Sequence, residues 1–187
     1  MNRSVKEPEP VTATAVGVGG GEPHTLAELM ALAYEMEREA AQRYAEFADA
    51  MEMHNNREVA GLFRKMARVE LGHAQAILSE MGWSEAPAPA AWGPEMLEGP
   101  ETPRLDDMHY LMWPYHALEV ALACEERAER FYDRIAGAAE VESVRNAARV
   151  LQDEEREHVA LIRAWMSRVE KPGEGWADDP DPPRYTD

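Results

Sequence analysis

The chain has 187 residues, 45% of them hydrophobic, and a formal net charge of −17. That is enough for one compact domain with its own core, and too acidic to be drawn to nucleic acid or an anionic membrane, whose phosphates favour lysine and arginine. A lone cysteine, Cys124, excludes an intrachain disulfide, and no apolar run approaches the roughly 20 residues of a membrane span.

Residues 1–24 are rich in Pro, Gly, Thr and Glu, show no periodicity, and are expected to form a disordered tail. The mildly apolar stretch 11–18 follows Glu7 and Glu9 and precedes Gly19–Gly21, a poor secretion signal, so a cytoplasmic location is expected. Thr25 with Glu28 reads as a capping box that opens a first helix, whose apolar stripe is Met30, Ala33, Ala40, Tyr44, Phe47 and Met51. Asn55 and Asn56 interrupt that stripe and supply a cap for a second helix, with the stripe Val59, Phe63, Met66, Ile77 and Met81 and a stop at Gly82. Residues 83–113 hold five prolines and read as a long connection. Pro114 suits the first turn of a third helix, with the stripe Leu118, Ala121, Leu122, Ala128, Tyr132 and Ile135 and an end at Gly137. A fourth helix carries Val144, Ala148, Leu151, Ile162, Trp165 and Val169 and is expected to stop at Pro172-Gly173. Residues 172–187 form an acidic, Pro-rich tail.

Short turns after the first and third helices predict two antiparallel hairpins. The connection of roughly 30 residues covers about 100 Å at full extension, against about 40 Å for a 27-residue helix, so it can cross the whole assembly. The expected fold is therefore all-α: a four-helix bundle over residues 25–171, two antiparallel hairpins joined by a long crossover at about 83–113.

One pattern occurs twice. Glu37 precedes Tyr44 by seven residues and is followed by Glu70-Leu71-Gly72-His73. Glu125 precedes Tyr132 by seven and is followed by Glu155-Arg156-Glu157-His158. Residues three or seven apart share a helix face. Glu37, Glu70, His73, Glu125, Glu155 and His158 all interrupt apolar stripes, where an unpaired carboxylate costs several kcal/mol or shifts its pKa until it is neutral. Two divalent cations would cancel four carboxylate charges, and two neutral imidazoles would complete the shell. His24, His54, His109 and His116 sit at element ends or in the crossover and read as exposed polar residues.

With these residues in view, the chain resembles the rubrerythrin branch of the ferritin-like di-iron carboxylate superfamily over about 26–82 and 115–168. The resemblance implies a carboxylate-bridged pair of Fe ions, with Glu37 and Glu125 as terminal ligands, Glu70 and Glu155 as bridges, and His73 and His158 each on one metal. It places Tyr44 and Tyr132 behind the ligands, where a phenol can hydrogen-bond a ligand carboxylate; either would serve equally as a core aromatic. Mn or Zn could occupy the same O-rich, two-imidazole shell. The sequence departs from the family twice. One cysteine cannot build the rubredoxin-like module, so electrons must come from an external donor protein. The additional family Glu one turn after the third-helix ligand is Ala128 here; Glu129 is adjacent and a candidate extra ligand, but it points about 100° further round.

The resemblance implies an oxidoreductase, of peroxidase or ferroxidase type, that reacts ferrous iron with H2O2 or O2, as a homodimer. Bacterioferritin-like iron oxidation and storage in a hollow cage shares the ligand pattern. The same pattern also admits a non-catalytic metal-binding module and a manganese catalase.

Overall fold

A computed structural model describes residues 23–89 and 99–179. The expected tail at 1–22, the middle of the crossover at 90–98 and the last residues 180–187 lie outside the described residues. Four helices are present: α1 (Leu26–Met53), α2 (Arg57–Met81), α3 (Pro114–Ala138) and α4 (Glu142–Met166), with one 3-10 turn, Leu105–Asp107, in the crossover. No strand occurs among the described residues.

The helix ends follow from local chemistry. The Glu28 N–H donates to the Thr25 hydroxyl at 3.1 Å, and the Thr25 N–H donates to the Glu28 carboxylate at 3.0 Å, which satisfies two orphan donors at the start of α1. Asn56 accepts the Val59 N–H at 3.4 Å at the start of α2. The same side chain donates to the Met112 carbonyl at 2.7 Å, so one residue caps a helix and fastens the end of the crossover. Gly82 ends α2 at φ 64, left-handed space that a side chain resists, and the Trp83 N–H returns to the Leu78 carbonyl at 2.9 Å.

Two boundaries differ from expectation. Gly137 lies inside α3, which continues to Ala138. Arg145 explains the extension: its guanidinium donates to the Ala139 carbonyl at 2.8 Å and supplies the C-terminal cap from the next helix. Helix α4 ends at Met166, ahead of Pro172-Gly173, where the Ser167 hydroxyl turns back to the Ala164 carbonyl at 2.8 Å. By that point α4 has reached the 25-residue length of α2 and α3. Beyond it the chain folds back, and Trp176 packs against His116 with ring centroids 3.7 Å apart and planes tilted by 31°. The described part of the C-terminal segment is thus packed onto the bundle.

The helices pack most extensively within the pairs α1–α2 and α3–α4, and the pairs meet through α1–α4 and α2–α3. Arg64 bridges α2 to Asp49 and Glu52 of α1 at 2.8 and 2.7 Å, and Arg163 bridges α4 to Glu126 of α3 at 2.7 Å. These pairs face solvent, where screening and side-chain entropy leave an exposed ion pair little net stabilisation. Burial does more. One apolar cluster gathers Tyr44, Phe47, Met51, Phe63, Leu118 and Ile162; a second gathers Leu29, Met36, Ile77, Tyr132, Ile135 and Val144. On every helix the two clusters divide at one place: Glu37 on α1, Glu70 on α2, Glu125 on α3 and Glu155 on α4.

Because Asn56 serves α2 and the crossover together, Asn56→Ala is expected to destabilise the protein by about 1–2 kcal/mol. The check is a lower denaturant midpoint with an unchanged slope.

Candidate metal centre

The four helical carboxylates that split the core are nearly sealed from solvent: Glu37 is 5% exposed, Glu70 3%, Glu125 4% and Glu155 2%. Their positions follow from the helical period, which turns each toward the bundle axis with its apolar neighbours one turn away. His73 and His158, three residues beyond Glu70 and Glu155, are partly exposed, and their rings stack with centroids 4.7 Å apart and planes 6° apart.

Donor atoms converge in two groups, one per hairpin: Glu37, Glu70 and His73, and Glu125, Glu155 and His158, each with ligand atoms within 4.8 Å of one another. His73 Nδ1 lies 3.2 Å from Glu70 and 3.5 Å from Glu37, without hydrogen-bond geometry to either. His158 Nδ1 lies 3.3 Å from Glu125 and 3.4 Å from Glu155. Glu37 Oε2, Glu70 Oε2 and Glu155 Oε2 are buried with no hydrogen-bond partner. Buried, unpartnered carboxylate oxygens of this kind are expected of a cation shell and are expensive otherwise.

A fifth carboxylate completes the cluster, and no helix supplies it. Glu101, in the crossover, is 1% exposed, and both its oxygens lack a partner. Its ligand atoms group with Glu37 and Glu155 on one side and with Glu70 and Glu125 on the other, again within 4.8 Å. Residues 99–103 are all buried. The strap is held from α1 and α3: the Gly99 N–H donates to Glu39 at 2.8 Å, Arg43 donates to the Pro103 carbonyl at 2.8 Å, and Arg127 donates to the carbonyls of Pro100 and Thr102 at 2.8 and 3.1 Å. Sequence reasoning missed Glu101 because helical periodicity was its only guide to burial, and a Pro-flanked loop has no period. The one available hint was an acidic residue confined between Pro100 and Pro103.

Glu129, the candidate extra ligand, is not in this group. Its carboxylate pairs with Arg156 at 2.9 Å on the bundle surface. Tyr44 and Tyr132 are buried beside the carboxylates, one on each side of them. The Tyr132 hydroxyl is buried without a partner and so makes no hydrogen bond to a carboxylate. His54, His109 and His116 lie away from the cluster among Tyr110 and Trp176.

Proton affinities record the crowding. Burial, reinforced by Glu125 and Glu37, pushes Glu70 up to about 7. Burial, reinforced by the same two residues, pushes Glu155 up to about 8. Glu101 is raised well above the usual range, by burial first and the four surrounding carboxylates next. The Glu37 and Glu70 carboxylates push His73 up to about 10. Burial pulls His158 down, but Glu125 and Glu155 outweigh it and push it up to about 11.

A cavity of about 70 Å³, space for a few water-sized molecules, lies between Val69, Leu161, Ile162 and Trp165, and its wall includes Glu70, Glu125 and His158. Val69 and Leu161 are exposed at its mouth. The cluster is thus approachable beside α2 and α4, while the strap covers it across α1 and α3.

The model of the rubrerythrin family matches residues 28–87 and 116–181. An uncharacterized conserved protein from Magnetospirillum magnetotacticum MS-1, known from its crystal structure, is 36% identical, with 80% of this chain and 98% of that chain covered and a TM-score of 0.58. The bacterioferritin of Rhodobacter capsulatus, solved with a metal-free dinuclear site and haem iron, is 22% identical over 76% of this chain and 83% of its own, with a TM-score of 0.49. A hypothetical protein from Pyrococcus furiosus is 20% identical over 76% of this chain and 89% of its own, with a TM-score of 0.39. No curated protein matches. Among the described residues no helix is long and apolar enough to cross a membrane.

A pH dependence follows. Glu70 and Glu155 have pKa values raised above 4.5, so the folded chain holds more protons than the unfolded one and loses stability as pH rises through 7 to 8. The raised imidazoles add stability that is complete below 6.5 and lost as pH rises through 10 to 11. In chelator, the melting temperature is therefore expected to fall between about pH 5 and pH 9. With excess Mn(II) it is expected to rise over that interval, because ions and protons compete for the same oxygens. Parallel scans that both rise would contradict the assignment.

Proposed function

The chain belongs to the rubrerythrin family, and on that premise we propose that it is a di-iron carboxylate oxidoreductase that reacts ferrous iron with H2O2 or O2 and takes electrons from a separate donor protein. The convergence of six donor groups into two equivalent triples, with three carboxylate oxygens left unpartnered in the core, carries the proposal.

In this reading Glu37, Glu70 and His73 would hold one ion and Glu125, Glu155 and His158 the other. Each helical carboxylate belongs to one triple within its own hairpin and to another that reaches the opposite hairpin, the placement a bridge needs. The family resemblance, not this placement, singles out Glu70 and Glu155 as the carboxylates that would bridge and Glu37 and Glu125 as those that would be terminal ligands. Ferrous ions held by these residues would supply two electrons, enough to reduce a single oxidant molecule. The protein contributes placement and dryness. The two apolar clusters exclude water above and below the carboxylates, and the cavity beside Val69 and Leu161 gives a small oxidant a route to Glu70, Glu125 and His158. Tyr132 brings an uncommitted hydroxyl to the Glu37–Glu155 side, where burial and those carboxylates hold its proton on and leave it available to hydrogen-bond a ligand carboxylate. The lone Cys124 is buried, and its thiol is bonded by Arg127 at 3.3 Å, so the chain carries no thiolate cluster of its own for electron delivery. Mn or Zn fits the same donors; a cytoplasmic homodimer is part of the proposal.

Anaerobic loading with Fe(II), followed by stopped-flow mixing with O2 and with H2O2, tests ion count and reactivity together. Two ions per chain and rapid oxidation are expected. Glu70→Ala and Glu155→Ala are each expected to lose at least one ion, and full two-ion occupancy in either refutes the bridging assignment. Val69→Trp, at the mouth of the cavity, is expected to slow the bimolecular reaction several-fold while two ions remain bound. A dimer on size-exclusion chromatography fits the proposal. A large particle with a mineral core would favour iron storage instead, and Fe(II) that ignores both oxidants would leave a non-catalytic metal module.

A further inference from the structure

The crossover does more at this site than connect two hairpins. Its residues 99–103 are buried, and a hydrogen bond from the Gly99 N–H to Glu39, with others donated by Arg43 and Arg127 to backbone carbonyls, holds the backbone on both sides of residue 101. The Glu101 side chain, by contrast, has no protein partner at all: both oxygens are buried, unbonded and turned into the four helical carboxylates. A space-filling role would be met by Leu or Met, and a hydrogen-bonding role would show a donor. Neither accounts for a fifth carboxylate aimed at four others, because like charges in a dry cavity repel. Two cations do, since Glu101 stands in reach of oxygens from both hairpins at once. We propose that Glu101 is a fifth carboxylate ligand, supplied by the crossover and reaching both ion positions, so that ion binding and the seating of residues 99–103 are one event. This rests on the two-metal reading above and adds to it a ligand and a coupled segment.

The coupling has a direct physical basis. With ions bound, the strap is tied to the bundle through its centre as well as its flanks, and opening it requires breaking metal–oxygen bonds. With ions removed, a charged Glu101 faces four carboxylates that repel it, and the strap is held by the flanking hydrogen bonds alone.

The test uses the full chain, stripped by chelator and titrated anaerobically with Fe(II), with ions counted per chain and amide hydrogen exchange followed at residues 99–103. Wild type is expected to take two ions, and exchange at Gly99, Glu101 and Thr102 is expected to slow on loading. Glu101→Gln keeps the volume and removes the charge. It is expected to bind Fe(II) at least about tenfold more weakly and to show no slowing at the strap. Its stripped form is expected to melt above stripped wild type, a crossing of effects that a merely structural residue would not produce. Arg127→Ala loosens the strap while leaving every carboxylate in place, and is expected to weaken Fe(II) binding in the same direction. If Glu101→Gln loads two ions at wild-type affinity with a protected strap, Glu101 is not a ligand and this inference falls while the di-iron reading stands. If Glu101→Gln fails to fold, wild-type affinity in Arg127→Ala overturns the coupling. If wild type itself takes up no Fe(II), the di-iron reading fails, and the ligand role fails with it.

Discussion

The constraint on which this fold depends is the mutual repulsion of carboxylates gathered at one height of an apolar interior. Each of the four helices breaks its stripe once, with Glu37, Glu70, Glu125 or Glu155, and the breaks align. Carboxylates so placed cannot all remain charged in the dry interior of a protein. The raised proton affinities of Glu70 and Glu155, and the pairing of His73 and His158 with adjacent carboxylates, are how the side chains accommodate one another. The apolar clusters on either side carry the packing that makes such a layer tolerable, and the surface arginines, Arg64 and Arg163 among them, only trim the hairpins.

The proposed function rests on that layer rather than on the bundle, which many unrelated activities share. The site of this chain is covered differently on its two sides. One side carries the strap, clamped by Glu39, Arg43 and Arg127; the other carries the stacked imidazoles and a small apolar cavity. A site sealed on one side and narrowly open on the other selects for small reactants and keeps bulk water away from the carboxylates.

Much of this was legible in the residues. Capping by Thr25 and Asn56 and the stop at Gly82 are local chemistry, and each was readable because its partners lie within four residues. The helical carboxylates and imidazoles were readable because a 3.6-residue period says which side of a helix is buried. What was not legible depended on contacts distant in the chain. Gly137 failed to end α3 because Arg145, eight positions on, caps it from the next helix. Glu129 has the right chemistry for a ligand, but Arg156, 27 residues away, binds it at the surface. Trp176 packs on His116 across 60 residues of chain. Glu101 combined both difficulties: it sits in a segment without a period, and it is buried by arginines whose targets are backbone carbonyls that no sequence pattern marks.

The placement of Glu101 has a consequence for the origin and rebuilding of such a site. Exchanging the two hairpins swaps Glu37 with Glu125 and Glu70 with Glu155, and turns one of the groups containing Glu101 into the other. Glu101 is thus the residue left in place by the chain's approximate two-fold relation. Two copies of a single hairpin, whether by gene doubling or by design, would recreate four acids and two imidazoles, but would bring either none or two of the central acid. A single acid at the centre demands that the halves be fused, with a linker belonging to neither. In this chain the joining segment is therefore the mark of covalent asymmetry, and a symmetric ancestor assembled from identical halves would have had to manage its ions without it.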